Sequence, residues 1–172
     1  MCEQFSKEYQ DSPIVAIFDR DEPKYVKAAH DASKGFKDWG NGVYSFALPE
    51  PRHREGVAIC IELFYKDEEI KRKDEFGRRI FLSTEFDPRS GKHYDDPSIN
   101  TREHFKKDDL KIVDDKVFDI KSENVALSKD KFSDYILNKQ ENFHDFDFSE
   151  FDAVFQIIED IMKHYSESNP RL

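Results

Sequence analysis

Four charged residues that directly follow an apolar run are the main chemical feature of the sequence. The run Ile14–Phe18 is continuous and β-branched, and Asp19-Arg20-Asp21-Glu22 comes straight after it. Residues i and i+2 leave an extended strand in the same direction, so Asp19 and Asp21 can converge on one cation. Mg²⁺ takes one or two carboxylates and completes its shell with water and phosphate. The alternative is a solvated loop whose acids favour the start of the following helix.

A second acid lies in an otherwise apolar segment. Glu62 falls within the run Val57–Phe64. A carboxylate among apolar residues is costly unless it is paired, bound to a metal or placed at the end of an element. Two interpretations therefore stay open, a metal ligand and an ordinary carboxylate that ends the element or faces water.

The elements around these acids predict an α/β fold. Ile14–Phe18 is typical of a strand buried on both faces, and Pro23 suits the first turn of a helix. The cluster Gly40-Asn41-Gly42 predicts a turn that leads into a second strand, Val43–Leu48. Strands that alternate with a helix in this way favour a parallel sheet.

The rest of the sequence predicts two clear helices and several shorter elements. Ser128 is a candidate N-cap for a helix that ends near Leu137. Ser149 precedes the strongest helical periodicity in the chain, in which apolar residues recur at helical spacing. The weaker predictions are a helix at Lys66–Lys73 and strands at Arg78–Ser83, Leu110–Val113 and Val117–Ile120.

Composition narrows the class of protein. The chain has 172 residues, a formal net charge of −10 and only two cysteines, Cys2 and Cys60. Its apolar runs are far too short to span a bilayer, and the start lacks the pattern of a secretory signal. We therefore expect a reduced, cytoplasmic protein that does not enter membranes. The acidity argues against a charge-driven nucleic-acid coat, but it allows an enzyme that reaches phosphate through metal ions.

The order of these motifs resembles the TOPRIM nuclease domain, in the form found in OLD-family and related phage-defence nucleases. A strand, an Asp-x-Asp pair, a helix, a second strand ending in Leu-Pro and an apolar segment with an acid follow one another over Pro13–Glu62. The resemblance implies a TOPRIM-like fold with a mainly parallel central sheet, flanking helices and a C-terminal helical part. It implies one domain over 13–165, with flexible ends at 1–12 and 166–172.

The resemblance also implies roles for particular residues. Asp19, Asp21 and Glu62 would bind Mg²⁺ or Mn²⁺ for phosphodiester cleavage of DNA or RNA, with Glu22 as an additional ligand. OLD-type members also use a lysine at the start of a later helix, and Lys131 is the better match here, ahead of Lys129. Such a lysine would stabilise the charge that develops on phosphate.

One part of the family pattern is missing. The family places a catalytic glutamate after an earlier strand, whereas only 18 residues precede Asp19 and they show no strand pattern. Three explanations are open: the chain is the later part of a larger protein, a partner such as an ATPase subunit supplies that strand, or the site is degenerate. In the last case the chain is an interaction module that binds a partner ATPase or nuclease subunit.

Other residues give weaker indications. His93 in a polar segment is expected to be an exposed loop histidine, with an approach to substrate as the alternative. Phe143 and Phe146 sit in an acidic segment where they could anchor a partner. A group of basic residues in the first half could guide a nucleic-acid backbone toward the acids, or could form an ordinary solvated surface: Arg52, Arg54, Arg72, Lys73, Arg78 and Arg79.

Overall fold

A computed structural model describes residues 1–106 and 109–168 of the chain. They belong to two compact units, of which the first combines Met1–Phe64 with the C-terminal segment from Phe148, and the second is Tyr65–Asp147. Both units combine helices with small sheets, so the prediction of an α/β chain is confirmed at this level.

The first unit is built on a three-stranded sheet. Its strands are β1 (Ile14–Phe18), β2 (Lys37–Gly40) and β3 (Val43–Ala47), in the order β1-β3-β2. β1 and β3 are parallel over five residue pairs from Ile14 opposite Val43, and β2 joins β3 as an antiparallel partner. Helix α2 (Pro23–Ala29) lies between β1 and β2 in sequence and has Pro23 in its first turn.

Local signals explain these elements. All five residues of β3 are buried, as expected for the central strand of the sheet, and their run of apolar residues is interrupted only by Ser45. The predicted turn before β3 is confirmed, because Gly40, Asn41 and Gly42 all adopt positive φ angles. Such angles suit glycine and asparagine, which tolerate the left-handed region better than other residues.

The described part of the first unit begins and ends with a helix. Helix α1 (Cys2–Phe5) opens the chain, and helix α5 (Asp152–Ser168) closes the described part. The predicted C-terminal helix is thus confirmed, with Val154, Ile161 and Tyr165 as its buried residues. Residues 169–172 of the C-terminal segment that we expected to be flexible lie outside the described residues.

The second unit contains short antiparallel pairs. Helix α3 (Asp67–Ile70) comes first and helix α4 (Lys129–Leu137) last. Between them, β4 (Phe81–Leu82) pairs with β6 (Ile112–Val113), and β5 (Asn100–Thr101) pairs with β7 (Val117–Phe118). The sequence located β6 and β7 correctly but made them too long, and each pairs with an earlier strand of the chain.

The expectation of a mainly parallel sheet differs from the observed pairing. Among the strands of the described residues, β1 and β3 form the one parallel pair, and the other three pairs are antiparallel. The segment after β3 explains the difference. Proline at positions 49 and 51 blocks further strand hydrogen bonding, and the apolar run Val57–Phe64 ends in a 3₁₀ helix at Ile61–Phe64 instead of a third parallel strand.

Candidate functional site

The Asp-x-Asp motif lies at the carboxyl end of the parallel strand pair. The edge is held together where the Leu48 amide donates to the Phe18 carbonyl at 2.8 Å. Asp19, Asp21 and Glu22 are exposed there, whereas Arg20 is half-buried. In open α/β sheets, ligands bind outside the carboxyl ends of the strands. The exposed carboxylates therefore occupy the part of the sheet at which a site is expected.

Arg20 connects three segments at this edge. Its backbone amide donates to the Ile59 carbonyl at 2.7 Å, and its Nε donates to the Leu48 carbonyl at 2.6 Å. Its Nη1 also lies 3.9 Å from Oε1 of Glu50. Strand alternation thus turns the arginine toward the protein and leaves the flanking aspartates exposed. The sequence suggested the aspartates, but nothing in it indicated the role of the arginine between them.

Glu62 lies in the same unit, on the 3₁₀ helix Ile61–Phe64, and is half-buried. The hydrogen bond from the Arg20 amide to the Ile59 carbonyl holds the segment that contains Glu62 close to the end of β1. Arg54 adds a second constraint on this segment, because its Nε donates to the Leu63 carbonyl at 3.0 Å. Glu62 therefore has a defined position, on a helical turn and not on a strand.

The donor set at this edge fits a cation that a phosphate helps to hold. Within residues 1–106 and 109–168, no three or more His, Cys, Asp or Glu side chains are arranged to hold a metal ion. Mg²⁺ is nonetheless commonly bound by one or two carboxylates together with substrate phosphates, and Asp19 and Asp21 supply ligands of that kind.

Lys131 lies in the first turn of α4, in the second unit, and is exposed. The predicted cap of this helix is confirmed, because Ser128 Oγ accepts a hydrogen bond from the Lys131 amide at 3.3 Å. Lys129, the second candidate, is half-buried, and its amide donates to Asp114 Oδ2 at 3.3 Å. The catalytic role of either lysine stays a prediction.

The second unit contains a buried ionic cluster that sequence reasoning missed. The Arg79 guanidinium donates to both carboxylate oxygens of Glu85, at 3.0 and 2.7 Å. His93 Nε2 lies 3.4 Å from the same carboxylate, and the Leu82 amide donates to it at 2.7 Å. The expectation of an exposed loop histidine is wrong, since His93 is only 6% exposed.

Hydrogen bonds and nearby positive charges favour the ionised form of Glu85. Burial alone would raise the pKa of Glu85, but hydrogen bonds from Arg79 and Leu82, with the charges of Arg79 and Lys71, lower it overall. His93 Nδ1 accepts from the backbone amides of residues 95 and 96, both at 3.1 Å, which leaves Nε2 as the protonated nitrogen that faces the carboxylate. Because the partners are 6 and 14 residues from Arg79 along the chain, no short motif reveals the cluster.

The two phenylalanines that could have anchored a partner are buried. Phe143 and Phe146 do not offer an exposed anchor for a partner, because they are 1% and 8% exposed. Their rings stack at a centroid distance of 5.8 Å and both pack against Phe132 of α4. They belong to the core of the second unit, where each aromatic side chain buries a large apolar surface area.

Four of the six basic residues that could have formed a nucleic-acid surface make contacts with other groups of the protein. Arg72 pairs with Asp145, Arg78 with Asp74 and Arg79 with Glu85. Arg54 donates to a backbone carbonyl. Three of the arginines are therefore paired with carboxylates, whereas Arg52 and Lys73 are exposed.

A scan against protein-family models, a search of curated proteins and a search of solved structures each returned no match to the chain. None of the helices in the described part of the chain combines the length and apolar character that crossing a membrane requires.

Proposed function

We propose that the chain is a metal-dependent nuclease domain of TOPRIM type that hydrolyses phosphodiester bonds in DNA or RNA, in a phage-defence setting. The observation that supports the proposal best is the position of Asp19 and Asp21. Both are exposed directly after β1, at the carboxyl edge of the parallel β1–β3 pair. That edge is where α/β sheets bind ligands.

The proposed roles follow from the chemistry of the side chains. Asp19 and Asp21 would hold Mg²⁺ or Mn²⁺, with Glu22 and Glu62 as further ligands. The bound metal would supply an activated water and stabilise charge on the phosphate. A role for Lys131 in stabilising charge on phosphate stays the one that the family resemblance implies.

Cleavage and metal binding test this proposal together. Purified protein with Mn²⁺ should nick plasmid DNA or cleave RNA, and the Asp19→Asn, Asp21→Asn double variant should lose at least about 100-fold in rate, since a catalytic metal contributes several kcal/mol. The matched control is Glu8→Gln with Asp11→Asn, which removes two exposed acids elsewhere in the same unit. The control should cleave like the wild type.

Calorimetry with Mn²⁺ gives the second readout. The wild type should bind the ion and the Asp19, Asp21 double variant should not. Cleavage that survives in the double variant would refute the assignment. If the wild type neither cleaves nor binds Mn²⁺, the alternative stands, in which the chain is a catalytically degenerate TOPRIM-like module that binds a partner ATPase or nuclease subunit. If cleavage appears only with a partner that supplies a glutamate-bearing strand, the nuclease proposal is supported in its two-chain form.

A further inference from the structure

A pocket in the first unit gathers positive charge in an otherwise acidic chain. Its volume is about 480 Å³, and Lys27, Lys34 and Lys37 line it together with His30, Asp31 and Asp38. The chain as a whole has a formal net charge of −10. A polyanion is repelled by such a chain except where positive charge is concentrated, so this pocket is a distinct electrostatic feature.

The two acids of the pocket are already engaged by neighbouring groups. Asp31 accepts hydrogen bonds from the hydroxyl and the amide of Ser33, at 2.7 and 2.9 Å, and these bonds lower its pKa. Asp38 accepts from the Gly40 amide at 2.8 Å, and its other oxygen lies 2.9 Å from His164 Nε2. Both carboxylates keep their negative charge, and the charge of Lys34 helps to lower the pKa of Asp31. The three lysines of the pocket therefore exceed its two acids by one positive charge.

The lysines lack such partners. In the described part of the chain, Lys27, Lys34 and Lys37 make no carboxylate ion pair within 4.0 Å. Lys37 is held in place, because its Nζ donates to the Ala28 carbonyl at 2.8 Å and lies 3.6 Å from the centre of the Trp39 ring. One ammonium group is thus fixed and two others are free to meet a ligand.

The pocket is connected to the candidate site through α2. Glu22 of the motif immediately precedes this helix, and His30 of the pocket immediately follows it. Burial lowers the pKa of His30, and the positive charge of Arg20 lowers it further. The seven residues of α2 span about 10 Å, a distance that roughly three steps of a nucleic-acid strand cover at about 3.4 Å each.

We propose that Lys27, Lys34 and Lys37 contact the phosphate backbone of the nucleic acid whose cleavage we assign to the Asp19–Asp21 edge. This inference rests on the proposed function. The lysine pocket offers unpaired ammonium groups, which bind phosphate as point charges without reading sequence. The arrangement therefore fits sequence-independent contact beside the cleavage site.

Fluorescence anisotropy without metal tests the contact separately from cleavage. The probes are fluorescein-labelled 20-nucleotide single strands of DNA and RNA, titrated in EDTA over a series of NaCl concentrations. The Lys27→Gln, Lys34→Gln double variant should bind at least 10-fold more weakly than the wild type. Its salt slope should fall by about 1.4, because each lost phosphate contact on a single strand removes roughly 0.7. The matched control is Lys7→Gln with Lys163→Gln, two exposed lysines of the same unit, and it should stay within twofold of the wild type.

The outcomes separate the two proposals. Equal weakening by both pairs of substitutions would overturn the lysine pocket, and so would wild-type protein that binds neither probe. A polyglutamate peptide bound with the same lysine dependence and affinity would also overturn it, since acidic protein would then be the ligand. If the Asp19, Asp21 double variant binds the strands as tightly as the wild type but the wild type does not cleave with Mn²⁺, the pocket is supported while the nuclease assignment fails.

Discussion

Replacing Arg20 should destabilise the edge that carries the candidate site. Arg20→Met keeps an unbranched side chain of similar length but removes the guanidinium. The variant loses the 2.6 Å hydrogen bond to the Leu48 carbonyl and the 3.9 Å approach to Glu50. Leu48 is only 1% exposed, so its carbonyl gains little compensation from water.

The magnitude follows from these two contacts. A hydrogen bond from a charged donor contributes about 1.5–3 kcal/mol. The ion pair is partly solvated, with side chains 22% and 38% exposed, and pairs of this kind contribute about 0–1 kcal/mol. We therefore expect Arg20→Met to lower the free energy of unfolding by about 1.5–4 kcal/mol.

Urea denaturation followed by circular dichroism measures this loss. The matched control is Arg52→Met, because Arg52 is exposed in the same unit and its hydrogen bond to Glu150 comes from the backbone amide. Exposed substitutions of this kind change stability by no more than about 0.5 kcal/mol. Arg20→Lys should fall between the two, since lysine keeps the charge without the planar donor group.

The cleavage rate separates the effect of Arg20 on the geometry of this edge from its effect on the stability of the protein. At a temperature at which the folded fraction is matched, Arg20→Met should still cleave more slowly with Mn²⁺, because the segment of Leu48 and Glu50 loses part of its attachment to the motif. An unfolding free energy for Arg20→Met within 0.5 kcal/mol of that for Arg52→Met would refute the reasoning about the edge.

Two further predictions concern the second unit. Glu85→Gln should cost about 3–5 kcal/mol, because it leaves the Arg79 guanidinium without its carboxylate. The lowered pKa of Glu85 means that this stabilisation is present above the ordinary glutamate pKa and is lost as pH falls through the lower folded value. Urea titrations at neutral and acid pH should therefore show a smaller acid-induced loss for Glu85→Gln than for the wild type, and identical pH profiles would contradict the cluster. Gly91→Ala should cost about 2–5 kcal/mol, because a Cβ would lie 2.3 Å from the Thr101 carbonyl oxygen at a φ of +69°. Gly77→Ala has a similar φ of +77° and open space, so thermal melts should show only the backbone cost of about 1–2 kcal/mol.

Local signals in the sequence were sufficient for several elements. The strand Ile14–Phe18, the turn before β3, the Ser128 cap and the helix that begins at Asp152 depend on residues within a few positions of one another. Hydrophobic period, glycine conformation and side-chain capping act over that range. The position of Asp19 and Asp21 at the end of a strand was predictable for the same reason.

Only the tertiary structure decided the contacts between distant residues. The burial of His93 beside Glu85, the packing of Phe143 on Phe132 and the pairing of β6 with β4 all join segments whose approach depends on the intervening turns. Turn geometry and core packing set these approaches, and neither leaves a short pattern in the sequence.

The candidate site shows the same division. Residue type, spacing and the position after a predicted strand marked Asp19 and Asp21 as possible metal ligands. Tertiary structure placed Arg20 inward against Leu48 and Ile59. It also placed Lys27, Lys34 and Lys37 beside one pocket, where they make no carboxylate ion pair within 4.0 Å in the described part of the chain. A charge acts according to whether another charge lies within a few ångströms of it, and chain order does not determine that distance.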